Sequence, residues 1–150
     1  MKVAIGSDHT GFILKEGLKE YITKEKIKYK DFGSYDENPI DYPEIGFKVA
    51  REVAHGNYER GILICGTGIG MCIVANKVKD VRASLCEDLF SARYSREHNN
   101  TNILTMGAWK ISLYLAKQIV KVWLGTSFSN EENHIRRIKK ITQEEKYFSK

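Results

Sequence analysis

Short apolar runs alternate along this chain of 150 residues with longer stretches in which apolar side chains recur every three or four positions. The first pattern is typical of strands buried on both faces, and the second is typical of amphipathic helices. The runs predict strands at residues 2–6, 27–32, 61–64, 81–85 and 102–106. The helical pattern predicts helices at residues 12–26, 41–53, 69–77, 89–97, 109–124 and 131–147. Strand and helix units in series indicate an α/β fold whose parallel sheet is covered on both faces, followed by a C-terminal helix.

One loop carries most of the candidate chemistry. The apolar run Gly61–Ile64 ends at a thiol, Cys65, and alternate glycines then surround a single hydroxyl, Thr67; these glycines are Gly66, Gly68 and Gly70. Without Cβ atoms in the way, the N–H groups of such a loop can point at one small anion. The loop leads into the predicted helix Ile69–Lys77, whose N-terminus also favours anions. The pattern therefore predicts a reactive sulfur beside an anion-binding loop at the carboxyl end of a central strand, where open α/β sheets hold their ligands.

Two further polar clusters adjoin predicted strands. Asp8 and His9 follow the first strand, whereas His98 and Asn99 precede the fifth strand. Loops after the first and third strands of a doubly wound sheet share one edge, so Asp8 and His9 can meet Cys65 there. His98 should lie at the opposite edge of its own subunit. A site that used both His98 and Cys65 would need a symmetric dimer in which the partner supplies the histidine.

Each of these residues also has a structural interpretation. Asp8 fits a cap of the first helix as well as it fits a ligand, and His98 with Asn99 fits a helix C-terminus. A cysteine at a strand end is often only a small buried side chain, but the glycine loop beside Cys65 favours chemistry. Packing roles are expected for Cys72, Cys86, Trp109 and Trp123.

Composition narrows the class of protein. An apolar fraction of 42% and a charged fraction of 29% predict one globular domain over residues 1–150. The net charge is +5, but the basic residues are spread along the chain, which favours solvated helix faces over a nucleic-acid surface. Three cysteines without metal-ligand spacing favour reduced thiols and a cytoplasmic protein. No segment has the pattern of a signal peptide or a membrane span, so no membrane partner is expected.

Common phosphate-binding loops do not fit the glycine segment. A P-loop requires Lys and then Ser or Thr after its last glycine, and Gly70 is followed by Met71 and Cys72. The dinucleotide fingerprint requires its third glycine one position later than Gly70. A cysteine phosphatase loop needs an arginine that closes the anion cradle, and Met71 stands where the helix begins.

The most specific segments of the chain are Gly6–Gly11, Asp41–Pro43, Cys65–Gly70, Ala75–Lys77 and Arg96–Asn99. Together they resemble the ribose-5-phosphate isomerase B family, within the group that includes the galactose-6-phosphate isomerase subunits. The resemblance spans nearly the whole chain. It implies a Rossmann-like α/β/α sandwich with a five-stranded parallel sheet. It further implies a homodimer or homotetramer with active sites shared between subunits, and neither a metal nor an organic cofactor.

The resemblance also implies a reaction, the interconversion of ribose 5-phosphate and ribulose 5-phosphate through an enediolate in the pentose phosphate pathway. In one branch of the family a cysteine at the position of Cys65 removes the proton, and in another branch a glutamate at the position of Met71 does so. This chain therefore resembles the cysteine branch. The Thr67 hydroxyl and the loop are expected to stabilise the enediolate oxygens, the loop residues being Gly66, Gly68, Ile69 and Gly70.

Substrate contacts are implied in the same way. The family assigns opening of the sugar ring to the position of His98, whose imidazole suits proton transfer near neutral pH. Asp8 and Asn99 would hold sugar hydroxyls. His9 and Arg137 would hold the phosphate.

The chain departs from the family at two phosphate positions. Trp109 and Asn133 stand where relatives carry arginines, and further candidate contacts are Tyr42, Lys110 and Arg136. Either the neighbouring cations substitute, or phosphate binding is weaker, or the substrate differs. Alternative substrates are allose 6-phosphate, galactose 6-phosphate and a free aldose. A non-catalytic sugar-phosphate binding module is a second class, although such a protein has no need of a thiol at position 65.

Overall fold

The computed structural model describes residues 1–148. Its strands are β1 (Lys2–Ser7), β2 (Lys28–Asp31), β3 (Arg60–Cys65), β4 (Ala83–Leu85) and β5 (Ile103–Gly107). Its helices are α1 (Phe12–Lys24), α2 (Tyr42–Ala54), α3 (Ile69–Ala75), α4 (Leu89–Glu97), α5 (Leu113–Gly125) and α6 (Glu132–Phe148). All the strand pairs are parallel, in the order β2-β1-β3-β5-β4. The predicted α/β fold with a five-stranded parallel sheet is therefore confirmed.

The side chains of β3 explain how the sheet builds a core on each face. Successive side chains along a strand point to opposite faces. Ile62 and Ile64 pack into one buried cluster with residues of α1 and α5, whereas Leu63 and Cys65 pack into the other with residues of α2 and α3. The thiol therefore points toward the α2 and α3 side and shares its surroundings with Met71.

The segment after β5 differs from the prediction. The chain does not enter a helix at residue 109; α5 begins at Leu113, after Ser112 accepts a hydrogen bond from the Leu115 N–H group at 3.2 Å. The expectation that Trp109 packs on a helix is wrong, because its side chain is 72% exposed in the turn before α5. Trp123 does pack in the core, where its indole N–H donates to the Thr101 hydroxyl at 3.0 Å.

The cysteines and the short β4 strand give two smaller corrections. Cys86 is fully buried as predicted, whereas Cys72 is only half-buried and its sulfur lies 3.6 Å from the Ala83 carbonyl oxygen. Strand β4 begins two residues later than predicted. The Arg82 N–H group donates to the side-chain oxygen of Asn102 at 2.8 Å. This bond takes the place of a backbone hydrogen bond of the sheet, so the strand begins after Arg82.

Candidate active site

Three loops form a continuous surface at the carboxyl edge of the sheet. The Asp8 N–H group donates to the Ile64 carbonyl at 3.1 Å, which joins the loop after β1 to the end of β3. The Ala108 and Trp109 N–H groups donate to the carbonyls of Cys65 and Gly66, each at 2.9 Å, which joins the loop after β5 to the same place. The structure thus brings Asp8, Cys65 and Trp109 to one edge.

The sulfur of Cys65 lies at the centre of this surface. The residue is only 5% exposed, and its sulfur accepts a hydrogen bond from the Gly68 N–H group at 3.1 Å. A donor aimed at the sulfur stabilises a negative charge there. Gly68 has φ +75°, and a Cβ at this position would lie 2.6 Å from Leu85 and 2.7 Å from the Met106 backbone. Only glycine can therefore place this N–H group against the sulfur.

Thr67 and the start of α3 lie above the sulfur. The Thr67 side chain is exposed, and its hydroxyl oxygen accepts a bond from the Ile69 N–H group at 3.3 Å. A hydroxyl that accepts one bond retains its own hydrogen for donation to another group. Gly70 lies beneath the Tyr42 ring, because a Cβ on Gly70 would approach that ring to 2.7 Å. Thr67, the first turn of α3 and Tyr42 therefore surround the same small region.

Asp8 and His9 occupy the side of the surface nearest β1. One carboxylate oxygen of Asp8 accepts bonds from the Thr10 hydroxyl at 2.6 Å and from the Gly11 N–H group at 3.0 Å. Asp8 thus braces the turn before α1, although no side chain caps that helix. The Ile40 N–H group donates to Nδ1 of His9 at 3.3 Å. This bond occupies Nδ1, so Nε2 is the nitrogen that a ligand would contact. A cleft of about 350 Å³ opens beside the ring.

His98 and Asn99 lie at the amino edge of the sheet, as the position of His98 ahead of β5 predicts. His98 is the C-terminal cap of α4, and Arg82 donates to the Asn99 carbonyl at 3.1 Å and to the Asn100 carbonyl at 3.0 Å. Arg96 donates to the Asn100 side chain at 2.9 Å. Burial, together with the charges of the nearby Arg60 and Arg82, lowers the pKa of Arg96 to about 10. The guanidinium groups of the buried Arg96 and the half-buried Arg82 therefore fix the segment that carries His98.

The ring of His98 contacts two other rings. Its centroid lies 4.7 Å from that of Tyr94 and 4.3 Å from that of His134, with only 29° between the two imidazole planes. His134 is in the first turns of α6 and is 7% exposed, and its Nδ1 lies 2.7 Å from the Ser129 hydroxyl. The side chain of Asn133 accepts a bond from the His134 N–H group at 2.7 Å.

The remaining predicted contacts divide between the two edges. Lys110 follows Trp109 at the carboxyl edge, whereas the exposed Arg136 and Arg137 are on α6 with His134. Arg137 is three residues beyond His134, so the two side chains share one face of the helix. One subunit therefore does not bring Arg137 to His9, the residue with which it was predicted to hold a phosphate.

Comparison with known proteins identifies the family of the chain. The sequence model of the ribose/galactose isomerase family matches residues 3–141. The chain belongs to this family. Ribose-5-phosphate isomerase B of Escherichia coli is 42% identical over 141 residues, which are 94% of each chain. The D-erythrulose-4-phosphate isomerase of Pectobacterium atrosepticum is 43% identical over 131 residues, or 85% of each chain.

Solved structures agree with this assignment. The ribose-5-phosphate isomerase B of Clostridium thermocellum superposes with a TM-score of 0.96 at 44% identity, and the match covers 99% of both chains. The chain is therefore a sugar-phosphate isomerase of the ribose/galactose isomerase family. Relatives of similar identity carry different substrate names, so membership in the family leaves the sugar to be decided by the residues of the site.

Within residues 1–148, no group of three or more His, Cys, Asp or Glu side chains is placed to hold a metal ion. In the same part of the chain, no helix combines the length and the apolar character that crossing a membrane requires.

The two halves of the candidate site are far apart in one subunit of this isomerase. Cys65 ends β3, whereas His98 lies near the start of β5, and Cys65 is paired with Gly107 at the far end of that strand. A rise of about 3.3 Å per residue over the four steps from Ile103 to Gly107 separates the two ends of that strand by roughly 13 Å. No side chain spans that distance. The residues that the resemblance implicates thus fall into two candidate half-sites, one around Cys65 and another around His98.

Sequence reasoning missed His134 and Ser129. Their contact with His98 depends on how α6 packs against the end of α4, and no spacing within either segment indicates it. A weak signal exists, since His134 shares a helix face with Arg137, which was a predicted phosphate ligand. That signal associates His134 with the site but not with the ring of His98.

Proposed function

We propose that this isomerase interconverts ribose 5-phosphate and ribulose 5-phosphate in the pentose phosphate pathway of the cytoplasm. The main observation in support of the isomerase mechanism is the hydrogen bond from the Gly68 N–H group to the sulfur of Cys65, at the start of the glycine loop. Two named relatives support the substrate, the ribose-5-phosphate isomerases B of E. coli and C. thermocellum. Three unpaired cysteines suit a reducing compartment.

Cys65 is the base in this proposal, which assigns the chain to the cysteine branch. Its thiolate takes the proton from C2 of the open-chain aldose, and the C2–H electron pair forms the C1–C2 double bond while the carbonyl electrons move to O1. Thr67 and the N–H groups of the loop stabilise the resulting enediolate. The thiol returns a proton to C1, the hydroxyl on C2 becomes the ketone as its proton leaves, and O1 is protonated. The numbers of atoms and protons are the same before and after.

His98 opens the sugar ring before this step. In ring opening the bond between C1 and the ring oxygen breaks, the C1 hydroxyl loses a proton as it becomes a carbonyl, and the ring oxygen gains one. A neutral imidazole can take the first proton and deliver it to the ring oxygen. Asp8 and Asn99 hold the sugar hydroxyls that flank these atoms.

A second copy of the chain completes the site. Because the two half-sites are on opposite edges of one subunit, a two-fold dimer places the His98 of one chain over the Cys65 of the other and forms two identical sites. Exposed apolar side chains around the carboxyl edge support such contact, namely Ile69, Ile73 and Trp109 at 52%, 57% and 72% exposure. Two such dimers could pair into a tetramer without changing either site.

The phosphate lies between His9 of one chain and Arg137 of the other. Lys110 and Arg136 supply further positive charge from the neighbouring positions. Trp109 and Asn133 contribute no charge, so this site holds a dianion with fewer guanidinium groups than arginine-rich relatives have.

A substrate panel tests the proposal. The purified protein is assayed for ketose formation from ribose 5-phosphate, allose 6-phosphate, galactose 6-phosphate, erythrose 4-phosphate and free ribose. We expect the highest kcat/KM with ribose 5-phosphate. A tenfold preference for any other sugar would refute the proposed substrate. Saturable binding of these sugars without turnover would instead identify a binding module and refute the catalytic proposal.

A further inference from the structure

The stacked pair formed by His98 and His134 is unusual among the contacts of the site. The two imidazole rings lie 4.3 Å apart and within 29° of parallel, although they come from different helices. His134 is nearly buried, whereas His98 is half-exposed, so the inner ring supports the outer ring from the protein side. His98 is the C-terminal cap of α4, and its ring also contacts the ring of Tyr94 on the same helix at 4.7 Å.

Ser129 ties this pair to both helices. Its N–H group donates to the Glu97 carbonyl at 3.0 Å, at the last residue of α4. Its hydroxyl accepts from the Glu131 N–H group at 3.2 Å, just before α6, and lies 2.7 Å from Nδ1 of His134. One residue thus fixes the end of one helix, the start of the other and the ring plane of His134.

Resting on the proposed function, we propose that His134 is a positioning residue that holds the imidazole of His98 in the orientation required for ring opening. Transfer of a proton from the C1 hydroxyl to the ring oxygen needs the same nitrogen to reach two atoms of the sugar in turn. Such general acid–base catalysis depends on the geometry of the imidazole. Both rings belong to one chain, so they enter the partner's site as a single unit. The stack sets the plane, and Ser129 sets the rotation of the inner ring.

The two directions of the reaction separate this role from a structural one. Ribose 5-phosphate exists mostly as a furanose ring, which must open before Cys65 can act. Ribulose 5-phosphate cannot close a furanose ring, because the hydroxyl on C5 carries the phosphate. Its conversion to open-chain ribose 5-phosphate therefore requires no ring opening by the enzyme. A residue that acts only through ring opening therefore slows single turnovers that start from ribose 5-phosphate and spares those that start from ribulose 5-phosphate.

The experiment measures single-turnover rates in both directions, with enzyme in excess of substrate, for His134→Ala, with His98→Ala as the reference and Thr142→Ala as the control. Thr142 is on the same helix, and its hydroxyl donates to the Ile138 carbonyl. We expect His134→Ala to lower the single-turnover rate with ribose 5-phosphate at least ten times more than the rate with ribulose 5-phosphate. His98→Ala should show the same asymmetry with a larger amplitude, and Thr142→Ala should stay within twofold in both directions.

Rescue distinguishes the stack from general support of the fold. His134→Phe retains a flat ring against His98 and should recover at least a third of the forward rate lost in His134→Ala. Equal losses in both directions for His134→Ala, or no loss in either, would overturn the inference. If the wild-type protein converts neither pentose phosphate, the proposed function itself fails, which is a different result from a symmetric loss in the variant.

Discussion

The backbone N–H group of Gly68 donates to the sulfur of Cys65 across a distance of 3.1 Å. This contact joins the only conformationally demanding position of the loop to its only thiol. It explains why the glycine at this position cannot be replaced. A side chain would strain the left-handed backbone and press on Leu85 and on the backbone of Met106.

Gly68→Ala should therefore damage both stability and catalysis. A non-glycine residue in the left-handed region costs about 1–2 kcal/mol, and the close contacts add to that. The displaced N–H group should lower kcat at least tenfold. Gly56→Ala is the matched control, since Gly56 has φ +76° with nothing within 4 Å of the added Cβ. Denaturant unfolding should show a small loss of stability for Gly56→Ala, and its isomerase rate should equal that of wild type. Equal losses of activity in Gly68→Ala and Gly56→Ala would disprove the proposed role of Gly68.

Cys65→Ala should abolish isomerisation, because it removes the group that we propose takes the proton from C2. We expect kcat to fall below a hundredth of the wild-type value while circular dichroism and thermal unfolding change little. Cys86→Ala and Cys72→Ala are the controls. Burial raises the pKa of the Cys86 thiol, so that side chain stays protonated and should affect packing alone. A Cys65→Ala variant that retains more than a tenth of the activity would remove Cys65 from the mechanism.

Mixing two inactive variants tests the shared site. Cys65→Ala and His98→Ala chains, refolded together in equal amounts, should form heterodimers in half of the dimers, each with one intact site of its two. Random pairing then restores about a quarter of the wild-type activity. Native mass spectrometry would confirm that subunits have exchanged. If the exchanged mixture stays inactive, the half-sites do not combine.

Arg137→Ala should weaken the binding of the phosphate rather than that of the sugar. A charge-assisted contact contributes about 1.5–3 kcal/mol, so KM for ribose 5-phosphate should rise roughly 10- to 100-fold. The KM for free ribose should change little. Lys140→Ala, on the exposed surface of the same helix, is the control. Equal effects on both sugars would show that Arg137 does not bind the phosphate.

Trp109→Arg should lower KM for the phosphorylated sugar by restoring a family cation.

Asp31 should make the stability of the fold sensitive to acid. Although burial raises it, the pKa of Asp31 lies below its ordinary value because Lys15, Lys19 and the Gly33 N–H group donate hydrogen bonds to the carboxylate. A depressed carboxyl pKa stabilises the folded state above the unfolded value of about 3.9, and this contribution disappears as the pH falls through the folded pKa. Lys15 is fully buried, so removal of Asp31 leaves its charge paired with the more exposed Glu16 carboxylate, which lies 3.0 Å away.

Asp31→Asn should accordingly cost about 1.5–3 kcal/mol at pH 7, and the difference from wild type should shrink below pH 4. Urea unfolding at pH 7, 5 and 3 measures both quantities. Asp36→Asn, at an exposed loop position, should be neutral across the series. A pH-independent difference for Asp31→Asn would contradict the ion-pair explanation.

Much of the candidate half-site around Cys65 could be predicted from local patterns. An apolar run, a thiol and alternating glycines are contiguous, and the topology of parallel sheets determines which other loops meet them. The position of Trp109 could not be predicted in this way. The residues around Trp109 are compatible with a helix, but they form a turn whose N–H groups donate to the carbonyls of Cys65 and Gly66. This tertiary contact overrides the local helix propensity.

The half-site around His98 was harder to predict for a related reason. Its order along the chain predicts the edge on which His98 lies, but the stack with His134 joins residues 36 positions apart through helix packing. Side-chain contacts between helices depend on crossing geometry and not on the spacing within either helix. The sequence therefore indicated the edge of the sheet on which His98 lies, without indicating what supports its ring.

The separation of Cys65 and His98 on opposite edges of the sheet has a consequence for how the enzyme behaves when dilute. If each site requires two chains, specific activity must fall when the subunit concentration drops below the dissociation constant of the dimer, even though every chain remains folded. Substrate that bridges the two half-sites would then strengthen assembly, and an inactive chain expressed in excess would suppress its active neighbours. Catalysis in this molecule would thus be a property of the pair and would vanish in the isolated subunit.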